Sequence, residues 1–268
     1  MANPFSYESK RVLVTGGSSG VGAALVDLLG ELGASDITVV DRQPTDAAVR
    51  FVAADLSDPA DVERVVAELP GVDVLFGNAG VAATQPVPVV VSVNYLANRR
   101  LTEAMIDRAA PGSAVVLTAS IAGSRWGEHL AALTELLDLD DRAKALSWID
   151  AHPDLLADPY AFSKECVQLY TLRASHQAKV KGVRLNSACP APIETPLLTD
   201  FRATMSPELI DWTVTQSSGR IATPEDVAGA LAFLGSDAAS YVNGVNLLVD
   251  GGFTAGLTTG QLDFSGMG

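Results

Sequence analysis

The sequence predicts an α/β protein: a doubly wound parallel sheet in a single domain spanning 1–268. Three observations predict it. Short β-rich segments alternate with segments of helical spacing along the chain, the pattern that puts helices on both faces of a parallel sheet. The strand segments are continuous Val/Ile/Leu runs, as strands buried on both faces are. No linker, repeat or low-complexity tract divides the chain.

The elements follow in order. RVLVT (11–15) is a β-rich run. GVGAALVDLLGELG (20–33) has helical spacing and closes on glycine, a common helix stop. DITVV (36–40) and RFVAAD (50–55) are the next strands. DPADVERVVAELPG (58–71) is a helix opened by Asp58, with Pro59 in its first turn, where proline's missing N–H is harmless. VDVLFGNAG (72–80) is an apolar strand running into glycine, and NYLANRRLTEAMIDRAA (94–110) is helical. SAVVLTAS (113–120) is a strand. A helix follows DPY and runs to about Val180, and VRLNSACP (183–190) is the next strand. TPEDVAGALAFLG (223–235) is a capped helix and GVNLLVDGG (244–252) the last strand.

Composition bounds the function. Hydrophobic residues make up 48%, enough for a sizeable core, and the net charge is −14, which argues against nucleic-acid or anionic-membrane surfaces. Cys166 and Cys189 form no close pair, and three scattered histidines give no metal-ligand spacing, so no metal is expected. The N-terminus lacks the apolar core of a signal peptide. No apolar run reaches the roughly 18 residues of a spanning helix. These features predict a cytoplasmic protein.

Two local patterns carry chemistry. The first strand ends in TGGSSGVG, with glycines at 16, 20 and 22. Gly16 lets the chain leave the strand, while Gly20 and Gly22 let backbone and helix approach a ligand. The helix that starts there aims free N–H groups at an anion such as a pyrophosphate. Asp41 ends the second strand, 19 positions after Gly22. An acid there accepts hydrogen bonds from adenosine ribose hydroxyls and repels a 2′-phosphate. NAD is therefore expected over NADP, although the adjacent Arg42 can bind such a phosphate.

The second pattern is DPYAFSKE (158–165), with Tyr160 four positions before Lys164. Residues four apart share a helix face. A nearby ammonium favours phenolate and lowers a tyrosine pKa from its usual value near 10. Tyr160 then protonates a ketone oxygen, or deprotonates an alcohol, as hydride moves to or from a nicotinamide. A half-buried tyrosine beside a surface lysine is the alternative, weighed against the segments in between.

Those segments resemble the short-chain dehydrogenase/reductase family over nearly the whole chain. TGGSSGVG matches its T-G-x-x-x-G-x-G and YAFSK its Y-x-x-x-K; GNAG (77–80) stands for N-N-A-G, with Gly77 replacing the first asparagine. ASIAG (119–123) resembles the segment with the active serine, SVNYL (92–96) that with the active asparagine, and CPAPIET (189–195) its P-G-x-x-x-T, with Ala191 at the glycine position. Residues 219–252 resemble the C-terminal segment.

The resemblance implies a Rossmann fold and specific roles. Tyr160 is the general acid/base and Lys164 lowers its pKa. Ser120 hydrogen-bonds the reacting oxygen, and Asn94 supports a proton relay through water to Lys164. Asp55 meets the adenine, Asn78, Ala79 and Gly80 the adenosine ribose, and Ile193 and Thr195 the nicotinamide carboxamide. Ser18, Ser19, Val21, Leu56 and Pro190 complete the cofactor set with Gly16, Gly20, Asp41, Arg42, Tyr160 and Lys164.

Ser120 and Tyr160 are 40 positions apart, far more than is usual in the family. Residues 124–158 therefore read as an insertion, and its helical spacing predicts two short amphipathic helices around LDLDD. Many members tetramerise through the adjoining helices, so the insertion is expected to border the substrate mouth and alter subunit contacts, in a homo-oligomer that is a dimer or tetramer. The insertion also resembles that of the bacterial 3α-hydroxysteroid dehydrogenase/carbonyl reductase group. That implies a bulky apolar alcohol or ketone as the small-molecule partner: a steroid, terpenoid or aryl alcohol. Leu197, Leu198, Phe201, Met205, Leu209, Ile210 and Trp212, in 196–214, are placed to line an apolar pocket as a lid. An NADP-linked acyl-carrier-protein ketoreductase and a non-catalytic dinucleotide sensor are the alternatives.

Overall fold

A computed structural model describes residues 3–68 and 71–263. In chain order the first half comprises β1 (Arg11–Thr15), α1 (Gly20–Glu31), β2 (Asp36–Asp41), β3 (Arg50–Ala53), α2 (Pro59–Glu68), β4 (Val74–Gly77), α3 (Val87–Val91), α4 (Asn98–Arg108) and β5 (Ala114–Thr118). The second half comprises α5 (Leu130–Asp138), α6 (Arg142–Ala151), α7 (Pro159–Val180), β6 (Arg184–Pro190), α8 (Leu197–Thr204), α9 (Pro207–Gln216), α10 (Pro224–Gly235), β7 (Asn246–Val249) and α11 (Phe253–Thr258). Among the described residues the strands form one parallel seven-stranded sheet, ordered β3-β2-β1-β4-β5-β6-β7. The expected single-domain doubly wound fold is the observed one.

The continuous apolar strands are explained by two cores. One face of the sheet packs against α1 and α10, with Leu25, Leu29, Val227 and Leu231 buried alongside Val14, Val39 and Phe76. The other packs against α2, α4 and α7 and includes Leu75, Val115, Leu117, Leu101, Phe162 and Val167. Strand order reverses between β1 and β4, which opens a crevice at their carboxyl ends, the usual ligand position in such sheets.

Most expected strands are a few residues shorter in the structure, and the larger departures lie before residue 94 and after β7. The helix expected from residue 94 begins at Val87, passes through a π-helical turn at Ser92–Ala97 and continues as α4. Its valines favour strands by propensity, but Pro88 sits in the first turn and Val90 and Val91 are fully buried, so packing decides. The last strand is shortened to Asn246–Val249. After it, Asp250 accepts from Gly252 N and Thr254 N and starts α11, which the sequence pattern did not announce. The expected helix 58–71 is described to Glu68; residues 69 and 70 lie outside the described residues, as do 1, 2 and 264–268.

Residues 124–158 contain the two helices expected there. Leu133, Leu136, Leu137, Ala145 and Ile149 are buried in the core shared with α4 and α7. Arg99 of α4 donates to the carbonyls of Leu137 and Leu139, which close α5. Arg142 of α6 donates to Ser57 O and Ser92 Oγ. Residues 124–158 thus cover the flank formed by α4 and α7.

Candidate active site

The glycine turn is built by close approach. A Cβ at Gly22 would lie 1.9 Å from Gly16 O, and one at Gly16 would lie 2.8 Å from the Ala79 backbone. Gly16 and Gly20 have positive φ, 68° and 52°, which L-residues with side chains adopt at a cost. Ser19 caps α1 without a side-chain hydrogen bond, and the first turn carries no acid. Its free N–H groups remain able to meet an anion. This cradle fits a dinucleotide pyrophosphate.

Apart from Tyr160 and Lys164 on α7, the residues expected around a cofactor follow the carboxyl ends of the strands. Gly16, Ser18, Ser19, Gly20 and Val21 surround the β1–α1 turn, and Asp41 and Arg42 end β2. Asp55 and Leu56 follow β3, Asn78, Ala79 and Gly80 follow β4, and Ile193 and Thr195 follow Pro190 at the end of β6. Asp41 accepts from the backbone N–H groups of Ser18, Arg42 and Gln43, so its carboxylate is fixed beside the glycine turn. Asp55 accepts from Ser57 N and Oγ. The Asn78 amide is committed elsewhere: it donates to Gly16 O and accepts from Thr118 Oγ1. It joins the ends of β1, β4 and β5, and the backbone N–H groups of Asn78 and Ala79 both donate to Thr15 Oγ1.

The catalytic candidates converge on the first turns of α7. Asp158 caps that helix by accepting from Ala161 N, and Pro159 occupies its first turn. Ser120 leaves β5 into a short 3₁₀ turn, Ile121–Gly123. A Cβ at Gly123 would strike the Lys164 carbonyl at 2.6 Å. Only glycine lets the serine turn press so closely on the helix carrying Tyr160 and Lys164. Gln168 Nε2 then donates to Ser120 O at 2.8 Å.

Lys164 is buried, donates to Thr118 O at 2.7 Å, and lies 5.6 Å from the Tyr160 ring centre. Burial lowers its pKa to about 8. Burial pushes the half-buried Tyr160 phenol up to about 12, against an opposing hydrogen bond with Ser120. The expected lowering of the tyrosine pKa by Lys164 is absent from this arrangement. The ammonium is spent on Thr118, and burial disfavours both charged forms.

Asn94 is buried in the π-helical turn. Its Oδ1 accepts from Val81 N and its Nδ2 donates to Val81 O and Ser163 Oγ. Ser163 Oγ donates in turn to Tyr160 O. Sequence reading missed the supports: Thr118, Ser163 and Gln168. Ser163 lies inside YAFSK, but nothing in the pattern separates a bridging serine from a surface one.

Phe201 of α8 meets the Tyr160 ring edge-on at 4.7 Å, and Trp212 of α9 meets Phe253, the first residue of α11, at 5.4 Å. Of the seven apolar residues expected in the lid, Ile210 is buried and the other six are half-buried. Among the described residues no group of His, Cys, Asp and Glu is placed to hold a metal ion, and no helix is long and apolar enough to cross a membrane.

A doubly wound sheet with a dinucleotide cradle at its crevice and a Tyr–Lys helix beside it defines a nicotinamide-dependent oxidoreductase. The short chain dehydrogenase family model matches residues 10–133, and a model described as enoyl-(acyl carrier protein) reductase matches 154–254. Coniferyl-alcohol dehydrogenase of a Pseudomonas species is 32% identical, over 92% of this chain and 97% of its own. Cis-4-hydroxycyclohexanecarboxylate dehydrogenase of Sinomonas cyclohexanicum is 34% identical, over 93% and 98%. A crystal structure of 3-alpha-hydroxysteroid dehydrogenase from a Pseudomonas species, complexed with NADH, is 30% identical with a TM-score of 0.77. It covers 94% of this chain and 99% of its own. The chain belongs to the short-chain dehydrogenase family and is an oxidoreductase acting on CH–OH groups with NAD or NADP.

Proposed function

We propose that the protein is an NAD-dependent dehydrogenase interconverting a bulky apolar secondary alcohol and its ketone, with Tyr160 as general acid/base. The observation that carries this reading is the convergence of Ser120, Tyr160 and Lys164 beside the apolar ring of Phe201 from α8. The relatives named for coniferyl alcohol, a hydroxycyclohexane carboxylate and a hydroxysteroid support a cyclic or aryl substrate.

When bound, the nicotinamide supplies or accepts the hydride. The chain's residues do the rest. The α1 N-terminus and the glycine turn would hold the pyrophosphate, and Asp41 with the Asn78–Gly80 loop the adenosine ribose. Ser120 and Tyr160 both hydrogen-bond the reacting oxygen, where charge develops. With its pKa near 12, Tyr160 keeps its proton at neutral pH and can donate it to a ketone. Oxidation needs the phenol to give its proton up, so the oxidative rate rises with pH. Lys164 and Asn94 line the route by which that proton is exchanged with water. Phe201 gives the pocket an aromatic wall.

The carrier-protein reading is supported by the description of the second family model. Asp41 and the acidic segment 124–158 oppose it, since such an enzyme commonly takes NADP and docks an acidic carrier. The deciding experiment is initial-rate NADH and NADPH formation with steroid, terpenoid, cyclohexanol and aryl alcohols, Tyr160→Phe serving as control. NAD-linked oxidation lost in Tyr160→Phe is the expected result. Cofactor binding with no turnover across the panel would favour the sensor.

A further inference from the structure

One buried polar side chain beside the site has no part in this chemistry. Asn98 stands one helical turn after Asn94, at the start of α4, and is 2% exposed. Its Nδ2 donates to the Asn94 carbonyl at 3.0 Å and, at the longer distance of 3.4 Å, to the Val93 carbonyl. Both carbonyls belong to the π-helical turn, and such turns disrupt the regular ladder and concentrate at functional sites. The other end of the same amide, Oδ1, has no hydrogen-bond partner among the described residues. A buried unpaired acceptor costs stability that an apolar side chain would not, so the donor end is what the position needs.

Gly77 makes the arrangement possible. A Cβ there would lie 2.6 Å from Asn98 Oδ1 and 2.6 Å from Leu117 Cδ2. The glycine in GNAG and the asparagine in NYLAN, separated by 20 intervening residues in sequence, are thus one packing unit.

We propose that Asn98 is a positioning residue for Asn94: its amide clamps the π-helical turn and so fixes the Asn94 side chain, and Gly77 is kept bare to admit it. Through Asn94 the clamp reaches Val81 in the cofactor loop, and through Ser163 it reaches the backbone of Tyr160. The inference rests on the reading of Asn94 as part of the active site.

The test is a pair of double-mutant cycles. The first uses Asn98→Ala, Asn94→Ala and their combination. It measures kcat and KM with NAD⁺ and coniferyl alcohol, cyclohexanol and androsterone, and NADH affinity by fluorescence. Asn98→Ala is expected to lower kcat about tenfold or more, with KM and NADH affinity nearly unchanged, since small misplacements cost that much. In the Asn94→Ala background it is expected to add nothing. Asn98→Ser, which keeps a donor in less volume, is expected to recover part of the rate. It also replaces Asn98→Ala in the cycle should that variant fail to fold.

The second cycle reads melting temperature without cofactor. Gly77→Ala is expected to lower it markedly in the wild-type background and less with Asn98→Ala, where only the contact with Leu117 remains. An equal loss of kcat in both Asn94 backgrounds, no rescue by serine, or additive melting shifts would each overturn the proposal. Full activity of Asn94→Ala would instead overturn the reading of the site beneath it.

Discussion

Replacing Lys164 by methionine should abolish turnover and yet stabilise the protein at neutral pH. Lys164 is 3% exposed, and burial lowers its pKa from 10.5 to about 8. A difference of about 2.5 in pKa is worth about 3 kcal/mol. Below pH 8 both folded and unfolded chains hold the proton, and the folded state carries the whole cost of a buried ammonium. Between pH 8 and 10.5 the unfolded chain binds more protons, so stability rises with pH; above 10.5 the cost is gone. Methionine keeps an unbranched chain and removes the charge. It also removes the 2.7 Å hydrogen bond to Thr118 O, and leaving that acceptor unpaired costs about 1–3 kcal/mol. The net gain at pH 7 is then about 1 kcal/mol. By pH 10.5 the variant should be the less stable protein. Urea unfolding of both proteins at the two pH values measures this crossing, with m expected to stay constant. A stability difference independent of pH would refute the reasoning, because the ammonium would then carry no burial cost.

Other predictions follow from the cofactor cradle and the insertion. Gly22→Ala puts a methyl group 1.9 Å from a backbone oxygen; NADH binding should be lost and the protein destabilised by about 1–3 kcal/mol, read by fluorescence and thermal unfolding. Asp41→Ser should move the NADP-to-NAD ratio of kcat/KM upward by at least about tenfold, since a repelling charge is removed while Arg42 remains. Because α5 and α6 cover the flank of α4 and α7, light scattering should give a dimer, and a tetramer would show that this flank is not the excluded surface.

The sheet was legible because its strands are buried on both faces, and unbroken runs such as VLVT and AVVLT have few other readings. Val87–Val91 was not, because a valine-rich run says strand by propensity and helix only once its burial against the core is known. Short α11 depends on the carboxylate of Asp250 accepting two backbone N–H groups, a contact with no sequence period. In the candidate site, Tyr160, Lys164, Ser120 and Asp41 could be named from motifs because the chemistry proposed for them limits the residue type. Thr118 could not, since a hydroxyl at a strand end is common. Its two roles, a carbonyl for Lys164 and a hydroxyl for Asn78, exist only in three dimensions. The pKa balance was also beyond the sequence: spacing gave proximity of Lys164 to Tyr160, while burial decided the direction of both shifts.

The same contacts explain how Ser120 and Tyr160 stay together although 40 positions separate them in the chain. Ser120 and Tyr160 are held together by neighbours, not by the chain between them. Gly123 lies directly on the Lys164 carbonyl, Gln168 holds the Ser120 carbonyl, and Lys164 holds Thr118. The chain departs after Gly123 and returns at Asp158, which caps α7. Just inside the departing end, His129 Nδ1 meets the buried Glu165 carboxylate at 2.7 Å. Both ends are thus fixed to α7, and lengthening a closed segment costs only a slowly growing entropy. Much of that cost is offset because α5 and α6 bury their own apolar residues against α4 and α7. The positions of Ser120, Tyr160 and Lys164 are thus set by contacts with α7 and do not depend on the path of residues 124–158 between them.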